Sequence, residues 1–589
     1  MATGTFPAFV AASDRGMLNC MTTRRQFIER STLAAVGLSL PAGMVTPPAG
    51  TDPSADPPPS RTFLDLRRQP DSVTVQTAAG YAPLGAGGAG RWDGAGVTVS
   101  VTELPDGLRV SLAAPAAAVE RLHLRWRGSL AGTRLLLGDA WERSYGDLEW
   151  RGFVPDRVMP WYVATWDGRR THGYGVRTGA GAMCFWQVDP EGISLWADVR
   201  SGGAGVELGE RTLTACEIVC RPGRPDERPF AAIQAFCRQM CPAPRLPSQP
   251  VYGTNDWYWA YGNNSAASIV ADAQHVVDLS PAGENRPFAV IDDGWQPERS
   301  AQHPLAGTWD RGNEKFPDLP GLAAQVRAIG ARPGIWIRPL LAPADAPDTW
   351  RLPRERSVLD PTVPEVLAKV AADVARLRGW GFDLIKHDYS TFDVLGRWGF
   401  QMGAALTRGT WTFATGARQT TAEVLDDLYR AIRAAAGDAL VLGCNTVSHL
   451  SAGRFEMCRI GDDTSGTEWD RVPKMGVNAL AFRGAQHGAF YAADPDCIGV
   501  TTAIPWTQNR QWLDLLASSG TMLFASLAPD ALGAEQRRDL RAAFARAARP
   551  QPLGEPEDWQ ETSWPGRWRL AGASRSYDWM GPDGVTQVS

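Results

Sequence analysis

The chain has 589 residues, a length that predicts two or more domains because single hydrophobic cores rarely grow beyond about 250–300 residues. Hydrophobic residues make up 44% of the sequence and charged residues 21%, which is ordinary for a globular protein. The formal net charge of −5 leaves no basic surplus to neutralise phosphates. Nucleic acid is therefore excluded as an expected partner.

Residues 1–60 predict an export signal followed by a linker. Arg24 and Arg25 precede a phenylalanine two residues later and a weakly apolar stretch from Ser31 to Leu40. This order is similar to a twin-arginine export signal, and the stretch is too short to cross a bilayer. Residues 41–60 are rich in Pro, Ala, Gly and Asp and predict a linker. We therefore expect a periplasmic or extracellular protein with no membrane association, although an adventitious arginine pair is the alternative.

Residues 61–245 predict an N-terminal β-sandwich. Short apolar runs are separated there by Gly, Pro and Asp. Leu108 to Leu112 and Leu122 to Trp126 alternate between apolar and polar side chains, as half-buried antiparallel strands do. This region also contains Cys216, Cys220, Cys237 and Cys241, for which a structural or disulfide role is favoured over zinc because no histidine is near.

Residues 250–545 predict a central (β/α)8 TIM barrel, because apolar runs of four to eight residues alternate with amphipathic helical stretches. The predicted strands are Pro287 to Ile291, Pro333 to Ile337, Asp383 to Lys386 and Ala439 to Leu442; the predicted helices are Gly321 to Gly330, Val363 to Trp380 and Thr421 to Ala436. Residues 550–589 predict a short or truncated C-terminal β region, which makes the chain a multidomain β plus α/β protein.

Polar side chains collect just after the predicted barrel strands, and two of them suggest a nucleophile. Lys386 and Asp388 are two residues apart at a strand end, so both point to the same face of the sheet. A neighbouring ammonium keeps a carboxylate charged, which suits the attacking group of a retaining glycosidase. A buried Lys–Asp pair that only holds two strands together is the alternative.

Two further carboxyl pairs follow other predicted strands. Asp462 and Asp463 lie near Arg459, and adjacent carboxyls beside an arginine can have their proton affinities driven apart, as a general acid requires. An aspartate that caps the next helix is the alternative. Asp292 and Asp293 can accept hydrogen bonds from vicinal sugar hydroxyls, or bind a cation.

Taken in order, these motifs resemble those of clan D glycoside hydrolases, especially the α-galactosidases of glycoside hydrolase family 36. The resemblance runs from about Tyr252 to Leu527. It is carried by Tyr252-Gly-Thr-Asn-Asp-Trp257, Asp292-Asp293-Gly294-Trp295, Trp309, Asn313-Glu-Lys-Phe316-Pro317, Gly334-Ile-Trp336, Lys386-His387-Asp388, Cys444, Arg459-x-x-x-Asp463 and Asp494-Pro495-Asp496.

The resemblance implies that Asp388 is the nucleophile and that Asp463 is the general acid/base, with Asp462 leaving the second assignment open by one position. It also implies a sugar pocket and a tryptophan from the N-terminal domain that closes it. The implied pocket residues are Asp292, Asp293, Trp336, Lys386, Cys444 and Arg459, and the candidate tryptophans are Trp141, Trp150 and Trp161.

The activity implied by the resemblance is retaining hydrolysis of terminal α-D-galactosides, with no metal and no organic cofactor. The implied partner is an oligosaccharide or glycoside substrate, and a homo-oligomer is an open possibility. Three alternatives remain: a transglycosylase similar to raffinose synthase, a hydrolase of another α-glycoside, and a non-catalytic carbohydrate-binding barrel.

Overall fold

The computed structural model of the protein describes residues 62–297, 308–580 and 584–585. Residues 62–580 belong to one compact unit. The export signal and linker predicted for residues 1–60 lie outside the described residues. The domain boundaries predicted near residues 245 and 550 stay predictions, because both fall inside this unit.

The N-terminal part forms two antiparallel sheets. The seven-stranded sheet has the order β2-β1-β7-β13-β12-β9, with β14 beside β7, and the eight-stranded sheet has the order β3-β4-β5-β6-β15-β11-β10-β8. The strands are β1 (Ser72–Thr77), β2 (Gly80–Pro83), β3 (Gly85–Gly88), β4 (Arg91–Gly94), β5 (Val97–Leu104), β6 (Gly107–Ala113), β7 (Ala118–Arg127), β8 (Leu135–Gly138), β9 (Met159–Pro160), β10 (Tyr162–Trp166), β11 (Thr171–Val176), β12 (Met183–Asp189), β13 (Gly192–Asp198), β14 (Val206–Glu207) and β15 (Thr212–Arg221).

The two alternating runs read from the sequence lie within β6 and β7. In β7 the side chains of Leu122, Leu124 and Trp126 are fully buried, whereas the residues between them are partly exposed. This period of two buries one face of each strand, which is why these residues form a sheet with one apolar side.

The central part forms one parallel sheet of nine strands with the order β24-β23-β22-β21-β18-β17-β16-β26-β25. Its strands are β16 (Tyr252–Asn255), β17 (Phe288–Ile291), β18 (Arg332–Ile337), β21 (Leu384–His387), β22 (Leu440–Gly443), β23 (Met457–Arg459), β24 (Ala492–Asp494), β25 (Ile498–Val500) and β26 (Leu523–Leu527). A small hairpin, β19 (Arg351–Leu352) and β20 (Glu355–Leu359), lies between β18 and β21 in the chain.

The ends of this sheet, β24 and β25, are consecutive in the chain and separated only by residues 495–497. The two short strands act as halves of one broken barrel strand, one paired with β23 and the other with β26. Pro495 has no N–H to donate to a neighbouring strand, and Asp496 has a φ of 81°. These two residues therefore interrupt the seventh strand of a TIM-like barrel, whose described strands match the four that the sequence predicted.

Helices alternate with the barrel strands. The helices are α1 (Pro229–Met240), α2 (Trp257–Ala260), α3 (Ala266–Leu279), α4 (Leu319–Ile329), α5 (Pro364–Gly379), α6 (Ser390–Leu395), α7 (Gly399–Met402), α8 (Thr421–Ala436), α9 (Ser448–Ser451), α10 (Asn478–Arg483), α11 (Trp506–Ser518) and α12 (Ala534–Ala547). A π-helical segment, Val472–Val477, precedes α10. The helices predicted from the sequence correspond to α4, α5 and α8.

The described C-terminal residues form a three-stranded antiparallel sheet of β27 (Glu555–Pro556), β28 (Arg567–Leu570) and β29 (Ala573–Ser576). Trp559 and Trp568 are buried beneath it. Among the described residues, no helix combines the length and the apolarity that a membrane span requires.

Candidate active site

The candidate site lies at the carboxyl ends of the barrel strands, the face at which TIM barrels carry their functional groups. Asp292 and Asp293 follow β17, and Trp336 belongs to β18. Lys386 belongs to β21, Asp388 directly follows that strand, and Cys444 follows β22. Arg459 ends β23 and is followed by Asp462 and Asp463. Since these strands are parallel neighbours in one sheet, the residues predicted for the site converge on one rim of the barrel.

Asp388 is held by donors on both carboxylate oxygens. The Trp336 indole Nε1 donates to Oδ2 over 3.0 Å, and the Tyr389 backbone N–H donates to Oδ1 over 2.7 Å. Tyr389 has a φ of 67°, an unusual conformation for a non-glycine residue, and it is the N-cap of α6. The left-handed backbone at Tyr389 thus turns its N–H onto the preceding carboxylate.

Lys386 contacts Asp292 rather than Asp388. Its Nζ donates to Asp292 Oδ2 over 2.6 Å, and the Asn255 side-chain amide donates to the same oxygen over 2.7 Å. Burial lowers the pKa of Lys386, but the charges of Asp292 and other neighbours raise it well above its ordinary value. The pair is therefore ionic, and Lys386 bridges the strands that carry Asp292 and Asp388.

The buried Asp256 carboxylate accepts hydrogen bonds that fix the backbone of Asp292. Its Oδ1 accepts the Asp292 backbone N–H over 2.7 Å, and its Oδ2 accepts the Asn264 side-chain amide over 2.8 Å. Burial, together with the negative charge of Asp292, raises the pKa of Asp256 to about 7. The neighbouring Asp293 carboxylate accepts from the Gln296 side-chain amide over 2.5 Å. The Asp292-Asp293 turn is thereby fixed by side chains behind it.

The Cys444 thiol lies between two arginines. Arg143 Nη1 is 3.8 Å and Arg459 Nη1 is 3.7 Å from its Sγ. Burial and the charge of Asp388 raise the pKa of the thiol well above its ordinary value, although both arginines and Lys386 oppose the shift. Cys444 is therefore a neutral S–H group in the floor of the site rather than a thiolate nucleophile.

The adjacent Asp462 and Asp463 have different surroundings. Asp462 Oδ1 is 2.8 Å from Arg143 Nη2, and its Oδ2 is 3.2 Å from Arg471 Nη2. Asp463 Oδ1 is 3.0 Å from Arg459 Nη2 and 3.5 Å from Arg143 Nη1. The side chain of Asp463 is 39% exposed, compared with 13% for Asp462. Asp463 is thus the member of the pair that a ligand can reach more easily.

The pKa values of the two carboxyl groups are shifted in opposite directions. Burial and the charge of Asp463 raise the pKa of Asp462, against the effect of Arg143 and Arg471. Burial also raises the pKa of Asp463, but Arg143, Arg459 and two further cations lower it below its ordinary value. The arginines around Asp463 therefore favour its ionised form.

The Tyr389 phenol lies within electrostatic range of both the predicted nucleophile and the predicted acid/base. Burial raises its pKa, and the charges of Asp388, Asp293 and Asp463 raise it further, while Arg338 opposes them. Three carboxylates from different barrel strands therefore lie within electrostatic reach of one hydroxyl. Such a cluster of interacting acidic groups is typical of functional sites.

Arg143 was not predicted from the sequence. It lies in the segment between β8 and β9, outside the barrel, and reaches Asp463 from 320 residues away in the chain. Its guanidinium also lies over the rings of Tyr145 and Trp398, with Cζ 5.7 and 5.5 Å from their centroids. No local sequence pattern marks this residue, because its role depends on long-range pairing.

The three candidate tryptophans of the N-terminal part are packed inside the protein. Trp141 and Trp161 stack edge to face with centroids 5.4 Å apart, and their indole groups donate to backbone carbonyls. Trp150 is also buried and packs edge to face against Trp559. All three are therefore buried, and a pocket-closing role for one of them stays a prediction; Arg143 is a contact that the N-terminal part makes with the candidate site.

Metal ligation and disulfide formation were considered for the same acidic and cysteine residues. Within the described parts of the chain, no group of three or more His, Cys, Asp or Glu side chains is placed to hold a metal ion. The cysteines in those parts are Cys184, Cys216, Cys220, Cys237, Cys241, Cys444, Cys458 and Cys497, and each is a buried free thiol. Of the two roles predicted for the 216–241 group, the disulfide is therefore absent from the described structure, and the four cysteines are buried thiols.

Comparison with solved structures places this fold. An α-galactosidase from Thermus thermophilus, in complex with p-nitrophenyl α-D-galactopyranoside, matches with a TM-score of 0.56 and 18% identity over 86% of this chain and 99% of that one. The chain has the fold of that α-galactosidase. A family 36 α-galactosidase from Geobacillus stearothermophilus, bound to 1-deoxygalactonojirimycin, matches with a TM-score of 0.51 and 14% identity over 79% of this chain and 69% of that one.

The same fold extends to another glycosidase family. A family 31 sulfoquinovosidase from E. rectale matches with a TM-score of 0.54 and 12% identity, and each chain is covered over 88%. In sequence, the α-galactosidase AgaA of Geobacillus stearothermophilus is 33% identical over 86 residues, which cover 14% of this chain and 11% of that relative. No protein-family model matches the sequence.

Proposed function

We propose that this protein is a retaining exo-α-glycosidase that hydrolyses terminal α-D-galactosides. The observation that carries the proposal is the placement of Asp388 and Asp463 just after the parallel strands β21 and β23, with Trp336 donating to Asp388 and Arg459 in contact with Asp463. Retaining hydrolysis requires two carboxyl groups on opposite sides of one anomeric carbon. The fold shared with α-galactosidases supports the choice of this reaction.

In the first step, a carboxylate oxygen of Asp388 attacks the anomeric carbon, and the bond from that carbon to the aglycone oxygen breaks. Asp463, protonated in the substrate complex, gives its proton to the departing oxygen. The Trp336 indole and the Tyr389 N–H orient the Asp388 carboxylate for this attack. The product of the step is a glycosyl ester of Asp388 and a free aglycone alcohol.

In the second step, a water molecule attacks the anomeric carbon of the glycosyl ester and gives a proton to Asp463, while the ester bond to Asp388 breaks. The cations around Asp463 favour its ionised form, which suits a general base. The sugar leaves with the anomeric configuration of the substrate, and both carboxyl groups return to their starting states.

The remaining predicted residues suit the recognition of a neutral sugar. Asp292 and Asp293 offer carboxylate oxygens to sugar hydroxyls, and Lys386 and Arg459 offer donors. Each of these two cations already contacts a carboxylate, as Arg143 also does. A sulfonated sugar would need a cation for its charged group, so this pairing favours galactose over a sulfoquinovoside.

Two finer features are also proposed. We infer that the two N-terminal antiparallel sheets form a β-sandwich, because Cys184 of the seven-stranded sheet and Cys216 of the eight-stranded sheet interact side chain to side chain. We also propose that the protein is exported to the periplasm or beyond, on the strength of the arginine pair and apolar stretch within residues 1–60.

A panel of nitrophenyl glycosides tests the proposed substrate. We expect release of nitrophenol from the α-D-galactoside and little from β-galactosides or α-glucosides. Product analysis with raffinose, with and without sucrose as an acceptor, separates hydrolysis from transglycosylation. Absence of turnover with every α-glycoside of the panel, in a folded preparation, would instead favour a non-catalytic sugar-binding barrel.

A further inference from the structure

We propose that Arg143 is a positioning residue for the carboxyl pair: it holds Asp462 as a fixed counter-ion with one terminal nitrogen and places the other beside Asp463. This inference rests on the proposed glycosidase function, since it assigns Asp463 the role of acid/base. Arg143 belongs to the segment between the two N-terminal sheets, so a group from outside the barrel controls chemistry inside it.

The backbone fixes Arg143 next to the pair. The Ser144 N–H donates to the Ile460 carbonyl over 2.9 Å, and the Asp462 N–H donates to the Ser144 carbonyl over 2.8 Å. Ser144 and Gly461 thus form an isolated parallel bridge. The segment that carries Arg143 is therefore hydrogen-bonded to the backbone that follows β23. This pairing fixes the position of the Arg143 guanidinium relative to the two carboxylates.

Two buried acidic residues that precede Arg143 in this segment anchor it to the barrel. Arg483 of α10 forms a fully buried ion pair with Asp139, with Nε 2.7 Å from Oδ1. The Glu142 carboxylate accepts hydrogen bonds from the Gly399 N–H and from the Asn445 side-chain amide. Because Asp139 and Glu142 both precede Arg143 closely in the chain, these contacts hold the segment in place without involving the charge of the carboxyl pair.

The planar guanidinium suits a division between two carboxylates. One terminal nitrogen lies 2.8 Å from Asp462 and the other lies 3.5 Å from Asp463. The guanidinium also lies over the Tyr145 and Trp398 rings, with its Cζ 5.7 and 5.5 Å from their centroids. A lysine at this position could make one of the two contacts, but it lacks the fork that makes both.

All the charged groups that face Asp463 determine how it titrates. The cations are Arg143, Arg459, Lys386 and Arg471, the nearby anions are Asp462, Asp388 and Asp496, and the neutral groups are Tyr258, Tyr389 and Cys444. Arg459 and Arg143 are 3.0 and 3.5 Å from Asp463 Oδ1, and the charge of each lowers the pKa of Asp463; of the two, Arg143 is the one that comes from outside the barrel. Loss of this one cation should therefore make Asp463 easier to protonate.

The test compares pH profiles of kcat/KM for the wild type and Arg143→Met on p-nitrophenyl α-D-galactoside. The alkaline limb reports loss of the proton from the essential acid of the free enzyme. We expect the wild-type limb to lie at acidic pH and the Arg143→Met limb to move up by about one pH unit, because a charge at this distance shifts a carboxyl pKa by about 1–3 units. An unchanged limb would overturn the inference.

Two further variants separate positioning from a merely structural role. Arg143→Lys keeps the charge, so we expect the limb to stay within about half a pH unit of the wild type while kcat falls about tenfold from loss of the second contact. Arg483→Met loosens the same segment without removing a cation from the pair, so we expect a lower melting temperature and an unmoved limb. A shift in Arg483→Met equal to that in Arg143→Met would also overturn the inference.

The outcomes distinguish failure of this inference from failure of the proposed function. If the wild type turns over no α-galactoside, the proposed function fails, and the inference fails with it. If the wild type is active and only the limb shift is missing, the inference alone fails. Should Arg143→Met not fold, the comparison of Arg143→Lys with Arg143→Gln gives the same contrast, because glutamine removes the charge and keeps a polar side chain.

Discussion

At the scale of single residues, the site depends on hydrogen bonds that fix two carboxylates in unlike surroundings. Asp388 accepts two N–H donors, one from a neighbouring strand and one from the residue that follows it. Asp463 accepts from arginines. An attacking carboxylate profits from fixed orientation, whereas a proton-transfer group profits from tunable charge. These contacts lead to two predictions.

The Trp336 indole should contribute to turnover through its single hydrogen bond. Trp336→Phe removes the donor to Asp388 but keeps an aromatic ring in place, and hydrogen bonds to charged groups contribute about 1.5–3 kcal/mol. We expect kcat on an α-galactoside to fall about tenfold or more. Trp309→Phe is the matched control, because Trp309 packs on Trp336 with centroids 5.9 Å apart and its indole N–H has no hydrogen-bond partner among the described residues. Equal losses in the two variants would contradict the role of the hydrogen bond.

The choice between Asp462 and Asp463 as acid/base is settled by comparing their alanine variants on an activated aryl galactoside. Such a substrate needs no acid for its first step but still needs a base for its second. We therefore expect Asp463→Ala to form the glycosyl-enzyme, to turn over slowly, and to be accelerated by azide, which needs no base. Asp462→Ala should instead lose stability, because Arg471 loses its carboxylate partner and Arg143 loses the nearer of its two. Azide acceleration of Asp462→Ala alone would reverse the assignment.

At the scale of elements, the sequence predicts the strands whose buried runs are continuous and bounded by turns. Phe288–Ile291 and Leu384–His387 are of this kind, because strands of a parallel sheet are covered on both faces. The halves of the broken strand, Ala492–Asp494 and Ile498–Val500, are each three residues long and carry no readable period. The bridge at Ser144 is still less visible, since it pairs segments more than 300 residues apart.

The candidate site residues at strand ends were predictable for the same reason that the strands were. A polar residue that follows an apolar run must lie at the barrel rim, so Asp388 and Asp292 could be placed from the sequence. Arg143 could not, because its segment has no regular secondary structure and gains its position only from the barrel edge. The direction of the proton affinities in the Asp462 and Asp463 pair could not be predicted either, since it depends on that arginine.

Gly461 should be essential to the bridge between the N-terminal segment and the barrel. A Cβ atom there would lie 2.5 Å from the Met475 carbonyl oxygen and 2.6 Å from the Ala479 Cβ, so the backbone that precedes Asp462 would have to shift. We expect Gly461→Ala to cost about 1–3 kcal/mol of stability and to reduce kcat/KM. Gly379→Ala is the control, because Gly379 ends α5 and a Cβ there meets no described atom within 4 Å. Thermal melting of both variants gives the comparison, and an unaffected Gly461→Ala would contradict it.

At the scale of the whole molecule, buried histidines make the fold sensitive to acid. Burial lowers the pKa of His387 to about 3 and the pKa values of His123, His449 and His487 to about 4. The charge of Arg125 adds to the shift of His123, and the charge of Arg483 adds to that of His449. In the unfolded chain histidine titrates near 6.5. Below that pH the unfolded state binds protons that the folded state refuses, so the free energy of unfolding must fall as the pH falls from 6.5 towards 4.

His387 offers a direct test of this dependence. Its ring packs edge to face on Tyr429 and Phe455, and neither ring nitrogen has a hydrogen-bond partner among the described residues. Phenylalanine should therefore fit in its place. Between pH 7 and pH 5 the wild type should lose about 2 kcal/mol more than His387→Phe, at about 1.4 kcal/mol per pH unit below 6.5. Urea unfolding at both pH values measures the difference, and identical losses would show that His387 does not contribute.

The central claim is that Asp388 forms a covalent bond to the sugar, and its most direct test is chemical rescue of Asp388→Gly. With the carboxylate removed, azide can enter and attack the anomeric carbon from the side that Asp388 would have attacked, opposite the aglycone. We predict that Asp388→Gly is inactive on an activated aryl α-galactoside without azide and that added azide yields β-galactosyl azide, identified by NMR. Substantial turnover without azide, or an azide product of α configuration, would contradict the claim.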